Sequence, residues 1–155
     1  MPNSFIPIEN TTTATALALA NKILGSSAGI TVSSATYVGS VNATSTFDSF
    51  DLGSIGSTSL SLGSGVLLTS GSGKPALTNT LDNYSVSNNV GGDSKLDTYA
   101  KAAFSGSGVT ADASILEVKF TIAKLVDGSL PKVSLDVMFG SDEYPEYSNK
   151  RFMES

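Results

Sequence analysis

The sequence predicts a mostly-β domain of antiparallel sandwich or jelly-roll type, with one α-helix near the N-terminus. Short runs in which apolar residues alternate with polar ones recur from Ala28 onward, and Gly and Ser separate them. Only 15% of the 155 residues are charged, and much of the remainder is Ser, Thr, Gly and Asn, a composition that favours strands and turns. Apolar residues make up 40%, enough for one core, so we expect an arm over residues 1–10 and a single β-rich domain over residues 11–155.

The predicted helix runs from Thr11 to Leu24. One of the three threonines at positions 11–13 can cap its first turn, and Gly25 can end it. Small and aliphatic residues recur at helical spacing on one face: Ala16, Leu19, Ala20 and Ile23. We expect this Ala-rich face to pack closely against a sheet.

Short strands are predicted over the next forty residues. Period-two runs indicate strands at Ile30–Val32, Thr36–Val41 and Ser45–Phe50. Leu60 and Leu62, followed by Val66–Leu68, are expected to form a further pair around two glycines.

The strongest strand signal lies in the last third of the chain. Apolar residues alternate with Glu117, Lys119 and Thr121 from Leu116 to Ile122. A second alternating run has Val133, Leu135, Val137 and Phe139 as its apolar residues. Because Asp127-Gly128 lies between the two runs, we predict an antiparallel pair with one buried face.

Residues 71–110 form a polar region with few apolar anchors. Asn88, Asn89, Asp93 and Asp97 lie there, and Leu96–Phe104 can hold a helical turn. Loops of this length tend to be functional or mobile.

Several function classes are excluded by composition. The chain has no Cys and no His, so Ser-His-Asp and Cys-His catalysis are impossible and a zinc site would need carboxylates alone. The net charge is −5 with nine scattered basic residues, which argues against nucleic acid as a partner. No segment approaches the ~18 apolar residues of a membrane helix, so we expect no membrane insertion.

The stretch FGSDEYPEY, residues 139–147, is the densest in groups that could do chemistry. Asp142, Glu143 and Glu146 supply oxygen ligands of the kind Ca²⁺ prefers, and Asp93 and Asp97 could approach from the polar region. A second interpretation is an acidic, hydrated strand end. A third is a glycosidase carboxylate pair formed by Asp142 and Glu146, although the chain lacks Trp as a sugar platform.

Four segments together resemble one protein family, the bacterial choice-of-anchor L domains. Residues 139–147 resemble its F-x-S-E-E-Y-x-E-Y signature, with Asp142 where Glu is usual. Residues 112–120 (DASILEVKF) resemble its D-A-x-x-L-E-F-x-F strand, and residues 65–71 (GVLLTSG) its G-V-V-L-S-T-G strand. Residues 91–97 (GGDSKLD) are similar to its G-x-D-x-D-L-D loop, with Lys95 where Asp is usual.

The resemblance implies an extracellular, β-rich domain of bacterial surface or secreted proteins whose members carry different cell-envelope anchors. The family pattern continues after its Glu-Tyr motif with N-D-x-F-G-F and further strands, and residues 149–155 only begin that segment. The resemblance therefore implies a domain that is incomplete at its C-terminus, and an incomplete sheet leaves an unpaired edge.

We expect a non-enzymatic role in adhesion or structural self-assembly at the bacterial cell surface, in an extracellular matrix or a biofilm. The expected partners are another copy of the chain, bound by strand addition, or a surface polysaccharide. Ca²⁺ is the one cofactor considered. The alternative function is a Ca²⁺-dependent carbohydrate-binding module.

Overall fold

The computed structural model describes residues 4–25, 29–76, 85–103, 106, 108–129 and 131–140. In chain order the elements are β1 (Phe5–Pro7), α1 (Thr13–Leu24), β2 (Ile30–Val38), a 3-10 turn (Val41–Ala43), β3 (Thr44–Phe47), β4 (Phe50–Ile55), β5 (Thr58–Leu62), β6 (Gly65–Leu68), α2 (Ser94–Ala103) and β7 (Ile115–Ile122). Strand exceeds helix, 33% to 21%, and the strands pair antiparallel. The predicted mostly-β class is confirmed.

Helix α1 forms where the sequence predicts it. The Thr12 hydroxyl accepts a hydrogen bond from the Thr15 N–H at 3.3 Å, which caps the first turn. Gly25 ends the helix with φ of 63°, a conformation that glycine adopts without steric cost. The predicted apolar face is confirmed, because Ala16, Leu19 and Ala20 are all buried.

The face of α1 packs on the sheet formed by β2 and β7. Ala35 and Tyr37 of β2 complete the buried cluster, and Leu116 and Val118 of β7 pack against it. A bulge between Val32 and Ser34 shifts the register of β2 by one residue. Because of this bulge the apolar residues on either side of it share a face. The two predicted strands, Ile30–Val32 and Thr36–Val41, are one strand that ends at Val38, and Val41 lies in the 3-10 turn.

A buried hydroxyl network joins β2 to β3. The Tyr37 hydroxyl donates to the Ser40 carbonyl at 2.9 Å and lies 2.6 Å from the Thr44 hydroxyl. Thr44 and Ser45 are fully buried, and the Ser45 hydroxyl donates to the Gly73 carbonyl. These bonds satisfy polar groups that would otherwise be costly to bury.

A three-stranded sheet has the order β1-β3-β6. Within the predicted arm, Phe5 to Pro7 pair with β3, and the rings of Phe5, Phe47 and Phe50 lie with centroids 5.7 to 6.0 Å apart. Gly65 of β6 approaches the Phe47 ring so closely that an added Cβ would lie 2.6 Å from it. Aromatic packing therefore anchors the start of the chain.

One predicted strand and one predicted strand pair between residues 45 and 68 are wrong. The predicted strand Ser45–Phe50 divides at Asp48 and Ser49 into β3 and β4. Leu60–Leu62 belongs to β5, which pairs with β4, whereas Val66–Leu68 belongs to β6, which pairs with β3. Apolar spacing shows which residues face a core but does not choose the neighbouring strand.

The predicted pairing of β7 with residues 133–139 is also wrong. Residues 131–140 adopt no strand, and Val137 and Phe139 are 77% and 88% exposed, whereas Val118 packs against the core as expected. The partner of β7 is instead β2, from the N-terminal half of the chain.

The turn after β7 gives the physical reason. The Gly128 N–H donates to the Leu125 carbonyl at 2.8 Å, and the Leu125 N–H donates to the Ser129 carbonyl at 3.0 Å. This three-residue loop, with Gly128 at φ of 81°, is the geometry that joins hairpin strands. If the two strands continued from this turn as a regular hairpin, Ile122 would pair with Lys132, Phe120 with Ser134 and Val118 with Asp136. The apolar residues of the second run would then lie on the solvent face, since a one-residue difference in register exchanges the two faces.

Candidate functional site

Asp112 organises the polar region just before β7. Its carboxylate accepts hydrogen bonds from the Val90 N–H at 2.8 Å, the Asn88 N–H at 3.0 Å and the Ser87 hydroxyl at 3.3 Å. The bond from Val90, followed by that from Asn88, holds the pKa of Asp112 below its usual range. Asp112 also has a left-handed backbone, with φ of 52°, which Asp tolerates better than most residues.

Asp97 and Asp93 meet around Thr110. The Asp97 carboxylate accepts from the Thr110 N–H at 2.6 Å and from the Thr110 hydroxyl at 2.7 Å, and these bonds lower the pKa of Asp97. One carboxylate oxygen of Asp93 accepts the N–H groups of Lys95 and Leu96, both at 2.9 Å, and so caps the start of α2. Thr110 thus joins the carboxylate of Asp97 to the backbone of Asp93, whereas the two carboxylates themselves bind different donors.

The same loop is tied to the end of β6. The Asn88 side-chain amide donates to the carbonyls of Ser70 and Gly71 at 2.9 and 2.8 Å. Gly92 lies against Thr110 so closely that an added Cβ would be 1.9 Å from the Thr110 carbonyl oxygen. Hydrogen bonds therefore hold Asn88 to the end of β6 and Asp93 to Thr110, and only glycine fits at position 92.

The geometry of Asp93 and Asp97 bears on the calcium hypothesis. Their described oxygen contacts are with N–H and O–H donors of the protein, which is the arrangement of capping and turn residues. Among the described residues, no three acidic side chains come together in a way that could hold a metal ion. Asp142, Glu143 and Glu146 lie outside the described residues, so the full predicted ligand set stays a prediction.

A second candidate site is an apolar groove of about 230 Å³. We use "the groove" for the depression between Leu68 of β6 and the apolar face of β7, next to the last turn of α1. Its lining residues are Ile23, Leu24, Leu68, Leu116, Val118, Phe120 and Leu135. No charged or hydroxyl-bearing side chain lines it, so the groove can bind apolar groups but offers no acid or base for catalysis.

Both Asp112 and Thr110 were missed as organising residues. In the sequence Asp112 stands out only as the first residue of the motif at residues 112–120, which says nothing about its hydrogen-bond partners. Its partners lie 22 to 25 positions earlier, in a region whose many polar residues gave no indication of which N–H groups would converge. The motif at residues 91–97 did locate the right segment, because it contains Gly92, Asp93 and Asp97.

The chain matches one protein-family model. This family model describes the choice-of-anchor L domain and matches residues 8–154, which is nearly the whole chain. No curated protein and no solved structure matches the chain. Neither described helix has the length and apolar character of a membrane span. Domains of the matching family are associated with the cell surface and are typically non-catalytic. Four sequence motifs, a mostly-β fold and this match agree, and the chain belongs to the choice-of-anchor L domain family.

Proposed function

We propose that this protein is a non-enzymatic structural module at the bacterial surface that assembles with copies of itself. The unpaired sheet edges carry the proposal. The described strands form sheets of three, two and two strands, and no further described strand pairs with their outer edges. Exposed edges are templates for adding a further strand, and proteins that stay monomeric usually cover or charge them.

The chemistry of the two candidate sites supports a non-enzymatic role. The carboxylates of Asp93, Asp97 and Asp112 accept hydrogen bonds from nearby protein donors. The groove has an apolar lining and holds no titratable side chain. General acid–base catalysis requires titratable groups that point into a cleft that binds substrate.

The experiment has two parts. Size-exclusion chromatography with light scattering, over a wide range of protein concentration, measures the oligomeric state, and negative-stain electron microscopy shows whether larger assemblies form. Surface labelling of intact bacteria that produce the native protein tests its location. We expect a concentration-dependent oligomer and a labelled surface. A chain that stays monomeric at every concentration contradicts self-assembly, and label found only inside the cell contradicts the proposed location.

Stabilisation by Ca²⁺ and binding of carbohydrate can each be tested independently of self-assembly. A ligand that binds only the folded state stabilises it by RT ln(1 + [L]/Kd), about 2.7 kcal/mol at a hundredfold excess over Kd. If Asp142, Glu143, Glu146, Asp93 and Asp97 share a calcium ion, the melting temperature rises with CaCl₂ and falls again with EDTA. Glu146→Gln should reduce that rise. An unchanged melting temperature removes calcium from the hypothesis, and a glycan array tests sugar binding independently.

A further inference from the structure

The edge of β7 next to the groove combines a strand edge without a described partner with an apolar face. β2 pairs with one edge of β7 over its full length, from Ile115 to Ile122. The other edge has no described partner, and the apolar face beside it lines the groove. Phe120 and Ile122 remain 39% and 38% exposed on that face. A strand added there would gain backbone hydrogen bonds and bury apolar side chains on one face.

The segment 132–139 has the chemistry that this surface requires. Four apolar residues alternate along it with polar ones: Val133, Leu135, Val137 and Phe139. All four are exposed, and no hydrogen bond joins residues 131–140 to another described residue. Leu135 already lines the groove, but it does so as an isolated side chain without a strand beside it.

The turn prevents the segment from pairing correctly with its own β7. The Leu125–Ser129 hydrogen bond fixes a register in which Lys132, Ser134 and Asp136 would lie opposite the apolar residues of β7. A strand from another molecule is not held to this register. Moved by one residue, it pairs Ile122 with Val133, Phe120 with Leu135, Val118 with Val137 and Leu116 with Phe139. All eight side chains then lie on the face that lines the groove.

We propose that the edge of β7 binds residues 132–139 of a second copy of this chain as an antiparallel strand. The inference rests on the proposed self-assembly and gives it a specific surface. If the exchange is reciprocal, the two copies form a closed dimer in which each donates one strand and accepts one. If it is not, the same contact propagates into a filament.

Deleting Pro131 tests the register argument directly. The deletion keeps the turn at Leu125–Ser129 but moves the segment by one residue, so its apolar side chains reach the groove of their own chain. The expected result is a monomer by light scattering at concentrations where the wild type is a dimer or larger. Amides of residues 133–139 should be protected from hydrogen exchange in this monomer.

A matched control deletes Pro131 and Lys132 together. The connection is then shorter still, but the original mismatch of faces returns, so this variant should assemble as the wild type does. Leu135→Lys provides an independent test, because a charge at the centre of the donated strand cannot enter the apolar groove. It should abolish assembly, whereas Val109→Lys, at a position 75% exposed and outside the groove, should leave assembly unchanged.

The outcomes separate this inference from the proposed function. Assembly that survives both Leu135→Lys and the Pro131 deletion overturns the groove contact but leaves self-assembly in place. A wild type that is monomeric at every concentration overturns both. Loss of assembly in Leu135→Lys together with its retention in Val109→Lys supports the groove as the contact, even if the deletion variants fail to fold.

Discussion

β7 and the segment 132–139 carry nearly the same alternating pattern, but only β7 forms a strand. β7 pairs with β2 through a register of eight partnered residues, and its Leu116 and Val118 pack against the core. The segment 132–139 follows a well-formed turn and remains largely exposed. The two differ in whether a neighbouring strand is available in a register that puts apolar residues on the same face.

The bulge in β2 shows how the first region meets this requirement. Val32 and Ala35 are three residues apart and would point to opposite faces of a regular strand. The irregularity between Val32 and Ser34 adds one residue, and the Ser33 hydroxyl donates to the Lys119 carbonyl at 3.0 Å. One irregularity therefore matches β2 to β7, whereas the described residues after the turn at Leu125–Ser129 form no strand in which a bulge could correct the register.

The largest predicted effect compares a core leucine with a groove leucine. Leu19 is 1% exposed and Leu135 is 62% exposed. Leu19→Ala should cost about 2–5 kcal/mol of unfolding free energy, because it removes buried methyl groups and leaves a cavity. Leu135→Ala should cost about 0.5 kcal/mol or less when the protein is dilute enough to be monomeric. Urea denaturation followed by circular dichroism measures both.

Equal losses of unfolding free energy in these two variants would contradict the proposed difference, because they would place residues 132–139 in the core of the monomer. A loss for Leu135→Ala that grows with protein concentration would support it. Such a dependence is expected if the segment becomes buried only when a second copy is present.

The sequence predicted the parts of the fold that depend on local signals. The Thr12 cap, the Gly25 terminus and the buried face of α1 follow from residue types at fixed spacing, and the alternation in β7 identified its core face correctly. Strand partners could not be predicted, because pairing depends on residues far apart in the chain. β7 pairs with β2, whose partner residues lie 77 to 92 positions earlier.

The candidate site was predictable only in part. The motif at residues 91–97 located Asp93 and Asp97, but their role as acceptors for Lys95, Leu96 and Thr110 depends on where the backbone turns. The groove could not be predicted at all, since it arises where α1, β6 and β7 converge in space.

An intermediate effect is expected for the buried hydroxyl network of the packed region. Tyr37→Phe removes a hydroxyl that bonds to Ser40 and Thr44, and Thr44 is fully buried. Leaving a buried polar group without its partner costs about 1–3 kcal/mol, so urea denaturation should show a loss of that size. Tyr99→Phe is the matched control. Tyr99 is 73% exposed on α2, so the loss of its hydroxyl should change the free energy of unfolding by less than about 0.5 kcal/mol. A similar small change in both variants would mean that the network does not stabilise the packed region.

The smallest effect concerns the loop that leads into β7, and it appears as a pH dependence. Hydrogen bonds from Val90 and Asn88 lower the pKa of Asp112 in the folded state, so the folded protein binds a proton there less readily than the unfolded chain. The resulting stabilisation is complete above the unfolded-state pKa of about 3.9 and is lost as the pH falls through the lower folded-state value.

Urea denaturation between pH 7 and pH 3 measures this effect in the wild type and in Asp112→Asn. The wild type should lose stability below about pH 4, and the variant should be less stable at neutral pH but decline less steeply, so that the two curves converge in acid. The difference should persist at high salt, because short hydrogen bonds are screened much less than separated surface charges. Parallel curves would show that Asp112 does not stabilise the folded state through its ionised form. The loop that leads into β7 would then not be stabilised by the hydrogen bonds of the Asp112 carboxylate, which the segment after the turn also lacks.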